Sequence, residues 1–459
     1  MHAPCWLLKR KEIVEFIITR SNIGPYAPTF DGEVIAKIRG PMKHREFRDD
    51  AFWKEIPAWK NVSEQQFEDY KWQSKNSIRK VEQVAEVLGD RVSLEFIKDI
   101  QEGMRLAPMN VRITPYVFAL IDWDNPADDP LRKQFLPIGS QHLPDHPMHM
   151  LDSLHEDVDS PVPLITHRYP DKVLFLPLTT CPVYCSYCTR SRIIGGSTDT
   201  LDKDTYGANP DKWAQAFQYL RDNPEIEDVV ISGGDAYNLP AKYIERIGID
   251  LLNIPNIRRL RYATKGIAIF PTKVLTDHAW FKAINKVHKH GRNLGKSVVI
   301  HTHFSSPHEV TKWSKEAADR FFQAGIIVRN QGVLQAGIND DTEDMILLTR
   351  QLSYMNIQPY YIYQHDMIQG CEHLRTPLKL GIELEKRVRG TTAGFNTPTF
   401  VCDLPEGGGK RHIASYESYD EETGISIWRA PSVKEDKVFT YFDPLHALSG
   451  EAQKMWADP

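Results

Sequence analysis

The chain has 459 residues, and 56 Lys and Arg against 61 Asp and Glu give it a formal net charge of −5. Hydrophobic residues make up 41% of the chain and charged residues 25%, which is typical of a globular protein and excludes a disordered one. Six cysteines are too few for a disulfide-built scaffold, and no apolar run is long enough to span a membrane. Because mild acidity gives no general attraction to nucleic acid, we expect a cytoplasmic protein that partners neither membranes nor nucleic acids.

The chain before residue 170 divides into three stretches. Residues 1 to about 50 show no apolar period. From 62 to 103 the pattern predicts helices, with Ser63 and Gln66 as a capping box. Residues 108–170 are rich in Pro, His and Asp, and they predict an irregular segment that wraps around the rest.

Short apolar strands then alternate with amphipathic helices. The predicted strands are 173–178, 229–231, 260–263, 298–301, 326–328, 360–363 and 399–402. The predicted helices are 211–220, 242–252, 279–290, 308–324, 342–355 and 377–389. The last should have Thr376 as N-cap, Pro377 at its first position and Gly390 just beyond its end. This alternation predicts an α/β fold with a parallel sheet or a (β/α) barrel, whose chemistry lies on loops at the C-terminal strand ends.

The tail of the chain changes pattern again. From Ile413 onward it predicts a short β-rich extension with strands at 425–428 and 438–442. The expected regions are therefore a mostly helical one (1–110), an irregular linker (111–170), the barrel (171–412) and the tail (413–459).

Three of the six cysteines, Cys181, Cys185 and Cys188, form a C-x₃-C-x₂-C pattern just after the first predicted barrel strand. Three thiolates on one short loop can ligate one metal centre. A structural zinc would normally require a fourth ligand, yet neither Cys nor His follows within twenty residues. A [4Fe–4S] cluster held by three cysteines leaves one iron open for a ligand. The pattern thus favours an iron–sulfur cluster over zinc or incidental thiols.

Two further segments follow predicted strands. Ser232, Gly233, Gly234 and Asp235 come after 229–231, where two glycines allow a ligand to approach the backbone and Asp235 offers an anion for an ammonium. Alone, such a turn is more often structural. The segment from Asp403 to Lys410 ends in three glycines and a lysine, but it fails the phosphate-loop pattern because Arg follows the lysine instead of Ser or Thr.

Taken together, these motifs resemble the lysine 2,3-aminomutase family of radical S-adenosylmethionine enzymes. The resemblance runs from about Trp53 past Lys410. Its further motifs are Lys71-Trp-Gln73, Leu143-Pro-Asp-His-Pro147, Leu154-His-Glu-Asp157, Thr166-His-Arg-Tyr-Pro-Asp171 and His373-Leu-Arg-Thr-Pro377. It implies a partial (β/α)6-type TIM-like barrel of the radical S-adenosylmethionine kind, and an isomerase that moves an α-amino group to the β-carbon.

The resemblance also implies three cofactors: a [4Fe–4S] cluster, S-adenosylmethionine and pyridoxal 5′-phosphate. It gives Lys410 the covalent bond to pyridoxal phosphate and the segment from Ser232 to Asp235 the methionine moiety. Arg168, Tyr169 and Tyr363 would lie beside pyridoxal phosphate. A second family arginine is Lys172 here, which keeps the charge but loses the bidentate geometry.

Substrate residues are implied in the same way. Arg190 would pair with the α-carboxylate, and Asp366 and Asp403 would hold the distal ammonium of lysine. Two converging carboxylates repel unless a cation lies between them, which favours a basic substrate. Arginine and ornithine stay open as alternatives, as does an enzyme without pyridoxal phosphate that modifies a macromolecule. His365 stands where the family carries Cys.

The remaining expectations concern partners and metals. The family implies an electron donor such as flavodoxin or ferredoxin and a homo-oligomer, either a dimer or a tetramer. Because no cysteine follows Cys402, we expect no zinc site in the tail. His301 and His303 could bind a metal, but a structural or cofactor-lining role is favoured.

Overall fold

Strand–helix alternation produces a barrel-like sheet in the computed structural model, which describes residues 43–457. The first 42 residues of the predicted helical region lie outside the described residues. The sheet consists of β1 (Ile165–Tyr169), β2 (Lys172–Phe175), β3 (Asp228–Ile231), β4 (Arg259–Ala263), β5 (Ser297–Thr302), β6 (Ile327–Val333), β7 (Ile357–Tyr363), β8 (Thr399–Leu404) and β9 (Gly409–His412). Strands β2 to β8 are parallel neighbours in chain order, as short apolar strands joined by helices require.

One group of helices precedes the sheet in the chain, and a second group connects its strands. Those before the barrel are α1 (Glu64–Glu68), α2 (Tyr70–Lys75), α3 (Val81–Leu88), α4 (Leu94–Leu106), α5 (Pro115–Leu120) and α6 (Pro130–Phe135). Those between the strands are α7 (Trp213–Asp222), α8 (Ala241–Leu252), α9 (Gly266–Ile269), α10 (Pro271–Thr276), α11 (His278–Asn293), α12 (Lys312–Gln323), α13 (Thr342–Tyr354) and α14 (Leu378–Val388). Strands β2 to β7 are each followed by at least one helix, so the predicted (β/α)6-type barrel is confirmed.

Two strands of the sheet were not predicted. Strand β1 pairs antiparallel with β2, and β9 pairs antiparallel with β8, so each end of the parallel sheet carries a hairpin partner. Their sequences, Ile-Thr-His-Arg-Tyr and Gly-Lys-Arg-His, lack the apolar run that identified the other strands. The two edges meet where the Lys410 amide donates to the Tyr169 hydroxyl at 3.0 Å.

An aromatic cluster fastens the N-terminal helices to the outside of the barrel. Trp53 stacks on Phe67 of α1 with 4.8 Å between ring centroids, and it lies 5.6 Å from Trp313 of α12. The Trp313 indole donates to Glu68 at 2.6 Å. The predicted helical region thus shares the main hydrophobic core with the barrel.

The tail forms a separate small sheet. It consists of β10 (Ser418–Asp420), β11 (Ile425–Ala430) and β12 (Lys434–Phe442), paired antiparallel, and is followed by α15 (Gly450–Ala457). The β-rich tail is therefore confirmed, whereas α15 was not predicted. No helix within residues 43–457 is long and apolar enough to cross a membrane.

The start of α14 differs from its prediction. Thr376 is not the N-cap, because the helix begins at Leu378 with Pro377 at the cap position. The free amide of Leu378 instead donates to Asp443 of the tail at 2.8 Å. Asp443 also accepts from the Tyr419 hydroxyl at 2.6 Å, so one buried carboxylate joins the tail sheet to the barrel.

Replacing Asp443 by alanine should therefore destabilise the protein. The variant loses a helix cap and leaves the Tyr419 hydroxyl without its acceptor, so we expect the free energy of unfolding to fall by about 2 kcal/mol. Urea denaturation measures this change. The exposed Asp436 on β12 provides the control, since Asp436→Ala should change stability by less than about 0.5 kcal/mol. Equal stability of the two variants would contradict the capping role.

Candidate active site

Loops at the C-terminal ends of the parallel strands carry most of the predicted site residues. The cysteine loop follows β2, the segment from Ser232 to Asp235 follows β3, and Asp366 follows β7. Asp403 in β8 and Lys410 in β9 are direct partners in the antiparallel register. The C-terminal ends of parallel strands share one mouth of a barrel, and the fold therefore gathers residues that are distant in sequence.

The cysteine loop holds three half-buried free thiols. Burial raises the pKa of Cys181, and the nearby Asp235 and the other two cysteines raise it further. Burial likewise raises the pKa of Cys185 to about 12. Ionisation of all three thiols is thus unfavourable without compensating cations. Within residues 43–457, no three His, Cys, Asp or Glu side chains converge closely enough to hold a single metal ion.

The two glycines after β3 pack directly against the start of the cysteine loop. A Cβ on Gly233 would lie 2.2 Å from the Leu178 carbonyl oxygen, and one on Gly234 would lie 2.3 Å from that of Thr180. The Gly234 amide donates to Leu178 at 2.6 Å. Both carboxylate oxygens of Asp235 are also engaged, because they accept the amides of Tyr237 at 2.7 Å and Lys265 at 2.9 Å. This segment therefore fixes the position of the cysteine loop.

Replacing Gly234 by alanine should displace that loop while leaving the barrel folded. The added methyl group would overlap backbone atoms of Thr180, which cannot rotate away as a side chain could. Because the sequence predicts that this loop holds an iron–sulfur cluster, we expect at least a fivefold loss of iron bound after anaerobic reconstitution, with far-ultraviolet circular dichroism as a check on folding. Gly394→Ala is the matched control, because a Cβ there meets nothing within 4 Å. Full iron content in Gly234→Ala would contradict the packing role.

Lys410 lies in a small enclosure of tyrosines and carboxylates. Its ammonium donates to Asp403 at 2.9 Å and lies 5.5 Å from the ring centroids of both Tyr169 and Tyr363. Burial alone would lower the pKa of Lys410, but Asp403, Tyr363 and Tyr169 together raise this pKa well above its usual value. The positive φ of Gly409 places the backbone against the Tyr169 hydroxyl, where a side chain would collide.

Asp366 and Asp403 are a pair of carboxylates with unused hydrogen-bonding capacity. One oxygen of each, Oδ1, is buried without a hydrogen-bond partner among the described residues. Burial and the charge of Asp403 raise the pKa of Asp366 to about 8. A cation is the ligand that such a pair needs, and in this structure the Lys410 ammonium on Asp403 stands in for one.

Arg168 is buried beside these groups. Its Nε donates to Asp159 at 2.8 Å, its Nη2 donates to the Leu154 carbonyl oxygen, and its Nη1 lies 4.0 Å from Asp403. Lys172, by contrast, is half-exposed. Its ammonium pairs with Asp171 at 2.8 Å and lies 4.5 Å from the Tyr169 ring centroid. Arg168 thus lies beside Asp403, the partner of Lys410, whereas Lys172 lies against the ring of Tyr169.

Arg190 has a partner that was not predicted. Its Nε and Nη2 donate to the two carboxylate oxygens of Glu156 at 2.8 and 2.7 Å, and Glu156 is only 4% exposed. Burial would raise the pKa of Glu156, but Arg190, with Arg192 and Arg168, lowers it. The only sequence signal for this partner was the Leu-His-Glu-Asp motif, which gave no role to the glutamate.

Buried histidines near the mouth are neutral. Burial, aided by nearby arginines, lowers the pKa of His301 to about 3, and burial lowers that of His365 to about 3. The sequence also did not predict a buried ion pair, in which Lys265 contacts Glu309 at 2.6 Å. Because Lys265 follows β4 at the same strand-end position as the other site residues, its place in the pattern was a usable signal.

The fold and these residues define a barrel with a thiol-bearing loop and a lysine-bearing hairpin at one mouth. Comparison with models of protein families found no match. Among curated proteins, the chain is 38% identical over 371 residues to L-lysine 2,3-aminomutase of Bacillus subtilis (strain 168), covering 80% of this chain and 74% of that one. It is 37% identical over 394 residues to L-lysine 2,3-aminomutase of Clostridium subterminale, covering 85% and 88%. It is 33% identical over 353 residues to glutamate 2,3-aminomutase of Clostridioides difficile (strain 630), covering 76% and 77%. The chain therefore belongs to the lysine 2,3-aminomutase family.

Proposed function

We propose that this protein is an isomerase that moves the α-amino group of a basic L-amino acid to its β-carbon, with L-lysine as the substrate. The observation that carries the proposal is the carboxylate pair, Asp366 and Asp403. Among the described residues, the buried Oδ1 of each has no hydrogen-bond partner, and Asp403 already binds a primary ammonium, that of Lys410. A glutamate side chain would place another acid against two buried acids, whereas the distal ammonium of lysine would supply the positive charge that an ionised Asp366 lacks.

The residues at the mouth fit the cofactors of this family by their chemistry. We propose that the cluster is held by Cys181, Cys185 and Cys188, pyridoxal phosphate by Lys410, Arg168, Tyr169 and Tyr363, and the methionine moiety by the segment 232–235. Three free thiols on one loop suit such a cluster, in which each thiolate binds a different iron and the fourth iron stays open. Bound cluster and S-adenosylmethionine would supply a radical, and pyridoxal phosphate a π-system that delocalises it.

The protein's own residues would bind and orient the substrate. Arg190 offers a guanidinium to the α-carboxylate, while Asp366 and Asp403 fix the far end, so that the extended substrate is held at both ends. Asp235 would act by fixing the backbone of the segment 232–235, since both of its carboxylate oxygens already accept hydrogen bonds from backbone amides. Lys410 is held as an ammonium by Asp403, and it must give up a proton before its amine can bond to an aldehyde.

The partners belong to the same proposal. A cluster of this kind needs one electron for each activation, which a flavodoxin or ferredoxin would supply. We further propose that the enzyme is cytoplasmic and assembles as a dimer or tetramer.

The function can be tested by anaerobic incubation with S-adenosylmethionine, pyridoxal phosphate, a reductant and single amino acids. The α- and β-amino acids have the same mass, so they are separated by chromatography before detection by mass spectrometry. We expect β-lysine to form from lysine at a rate at least tenfold above the products from arginine, ornithine or glutamate. If none of the three basic amino acids gives a β-amino acid, the proposal fails. Metal analysis that finds zinc without iron and sulfide would refute the cluster.

A further inference from the structure

Residues 152–159, here called the bridging segment, join the two halves of the site. On the side of Lys410, the Ser153 carbonyl oxygen accepts from the Glu406 amide at 2.8 Å, and Asp159 pairs with Arg168 at 2.8 Å. Glu406 begins the glycine loop that leads to Lys410. The bridging segment is therefore fixed to the lysine-bearing hairpin.

The same segment is fixed to the cysteine loop by two arginine–carboxylate pairs. Glu156 binds Arg190 through both oxygens, and Asp157 binds Arg192 through both oxygens at 2.8 and 3.2 Å. Asp152 accepts the amides of Glu156 and Asp157, each at 3.0 Å. These contacts shape a tight turn that points the glutamate at Arg190 before any ligand binds.

The pair uses only one side of the Arg190 guanidinium. Glu156 occupies Nε and one hydrogen of Nη2, while Nη1 forms no hydrogen bond to the described residues. A guanidinium has a second edge, made by Nη1 and the other hydrogen of Nη2, which matches a carboxylate equally well. One arginine can therefore hold two carboxylates, one on each edge.

Glu156 is itself held in place by a second arginine. Its Oε2 lies 3.8 Å from Nη2 of Arg192, and Nη1 of the same arginine lies 3.3 Å from Asp152. Arg190 is therefore oriented by a carboxylate that other residues fix.

We propose that Glu156 is a positioning residue that holds Arg190 by its Nε–Nη2 edge, so that the Nη1–Nη2 edge faces the α-carboxylate of the substrate. The inference rests on the proposed function, in which Arg190 binds that carboxylate. This role would explain the glutamate of the Leu-His-Glu-Asp motif. By orienting Arg190, the glutamate would favour binding of a free amino acid over one whose carboxyl group is blocked.

The test compares L-lysine with L-lysinamide, which lacks the carboxylate. Calorimetric titration of the anaerobic holoenzyme without reductant gives both dissociation constants, and their ratio is the readout. We expect the wild type to prefer lysine by about 10²-fold, and Glu156→Gln to reduce this preference at least tenfold. Asp157→Asn is the matched control, since it alters the neighbouring carboxylate, which is 73% exposed, and should leave the ratio within twofold.

A merely structural role of Glu156 would weaken both ligands equally and leave the ratio unchanged, which would overturn the inference. A higher ratio in Glu156→Gln would also overturn it, because it would make Glu156 a competitor of the substrate. Glu156→Asp keeps the charge and should recover part of the preference even if Glu156→Gln folds poorly. A wild-type protein that binds neither compound would refute the proposed function itself.

Discussion

Lys410→Ala is expected to abolish formation of the β-amino acid, with a loss of about 10³-fold or more, the scale on which removal of a covalent catalytic group acts. The variant should also lose the visible absorbance of bound pyridoxal phosphate. The physical reason is that Lys410 is the amine that Asp403, Tyr169 and Tyr363 surround at the mouth. Product formation and the absorbance spectrum after removal of free cofactor measure both effects.

Lys437 provides the matched control for this variant. It is a half-exposed lysine on the tail sheet that pairs with Glu406 of the same glycine loop. Lys437→Ala should keep the absorbance and at least half of the activity. If Lys410→Ala formed product at the wild-type rate, or if its absorbance were unchanged, the covalent role of Lys410 would be refuted. Retained activity without a visible band in the wild type would instead favour an enzyme without pyridoxal phosphate.

Candidate site residues that lie in unusual sequence patterns were the easiest to identify from the sequence. Three cysteines within eight residues, and a lysine after three glycines, are rare enough patterns to indicate a function before any fold is known. The barrel was predictable for a similar reason, because its parallel strands are buried and therefore apolar. Strands β1 and β9 were missed because they are rich in polar residues, which give no apolar period.

Contacts between residues that are far apart in the chain could not be predicted from the sequence. Glu156 lies 34 residues before Arg190 in an irregular segment, and nothing in its spacing identifies the pair. Asp443 caps a helix that begins 65 residues earlier, in place of the local Thr376. The local capping rule failed at Thr376, and no local rule applied to Glu156, because in both cases the fold supplied a partner that is distant in sequence. The roles of the individual site residues stay predictions, and they depend on the experiments on Lys410, Asp366 and Glu156.

Binding of lysine is expected to become weaker as the pH falls below about 8. Burial and the charge of Asp403 raise the pKa of Asp366 to about 8, so this carboxyl is protonated and neutral below that pH in the free protein. A cationic ammonium favours the ionised form, and binding must therefore release a proton. The positive charges of Lys410 and Arg168 lower the pKa of Asp366, whereas the negative charge of Glu156 raises it. The apparent affinity should fall about tenfold per pH unit between pH 8 and 6.

Asp366→Asn should remove this dependence on pH and weaken lysine binding at pH 9 by about 10²-fold, because the asparagine cannot supply the charge. Titrations of the anaerobic holoenzyme with lysine across pH 6–9 measure both effects. Norleucine is the control ligand, since it has the same length of chain without the distal ammonium. The affinity of the enzyme for norleucine should be the same in the wild type and in Asp366→Asn. It should not fall tenfold per pH unit. If lysine and norleucine showed the same slope, the titrating group would act at the α-amino or α-carboxylate end, and Asp366 would not be the acid that recognises the side chain.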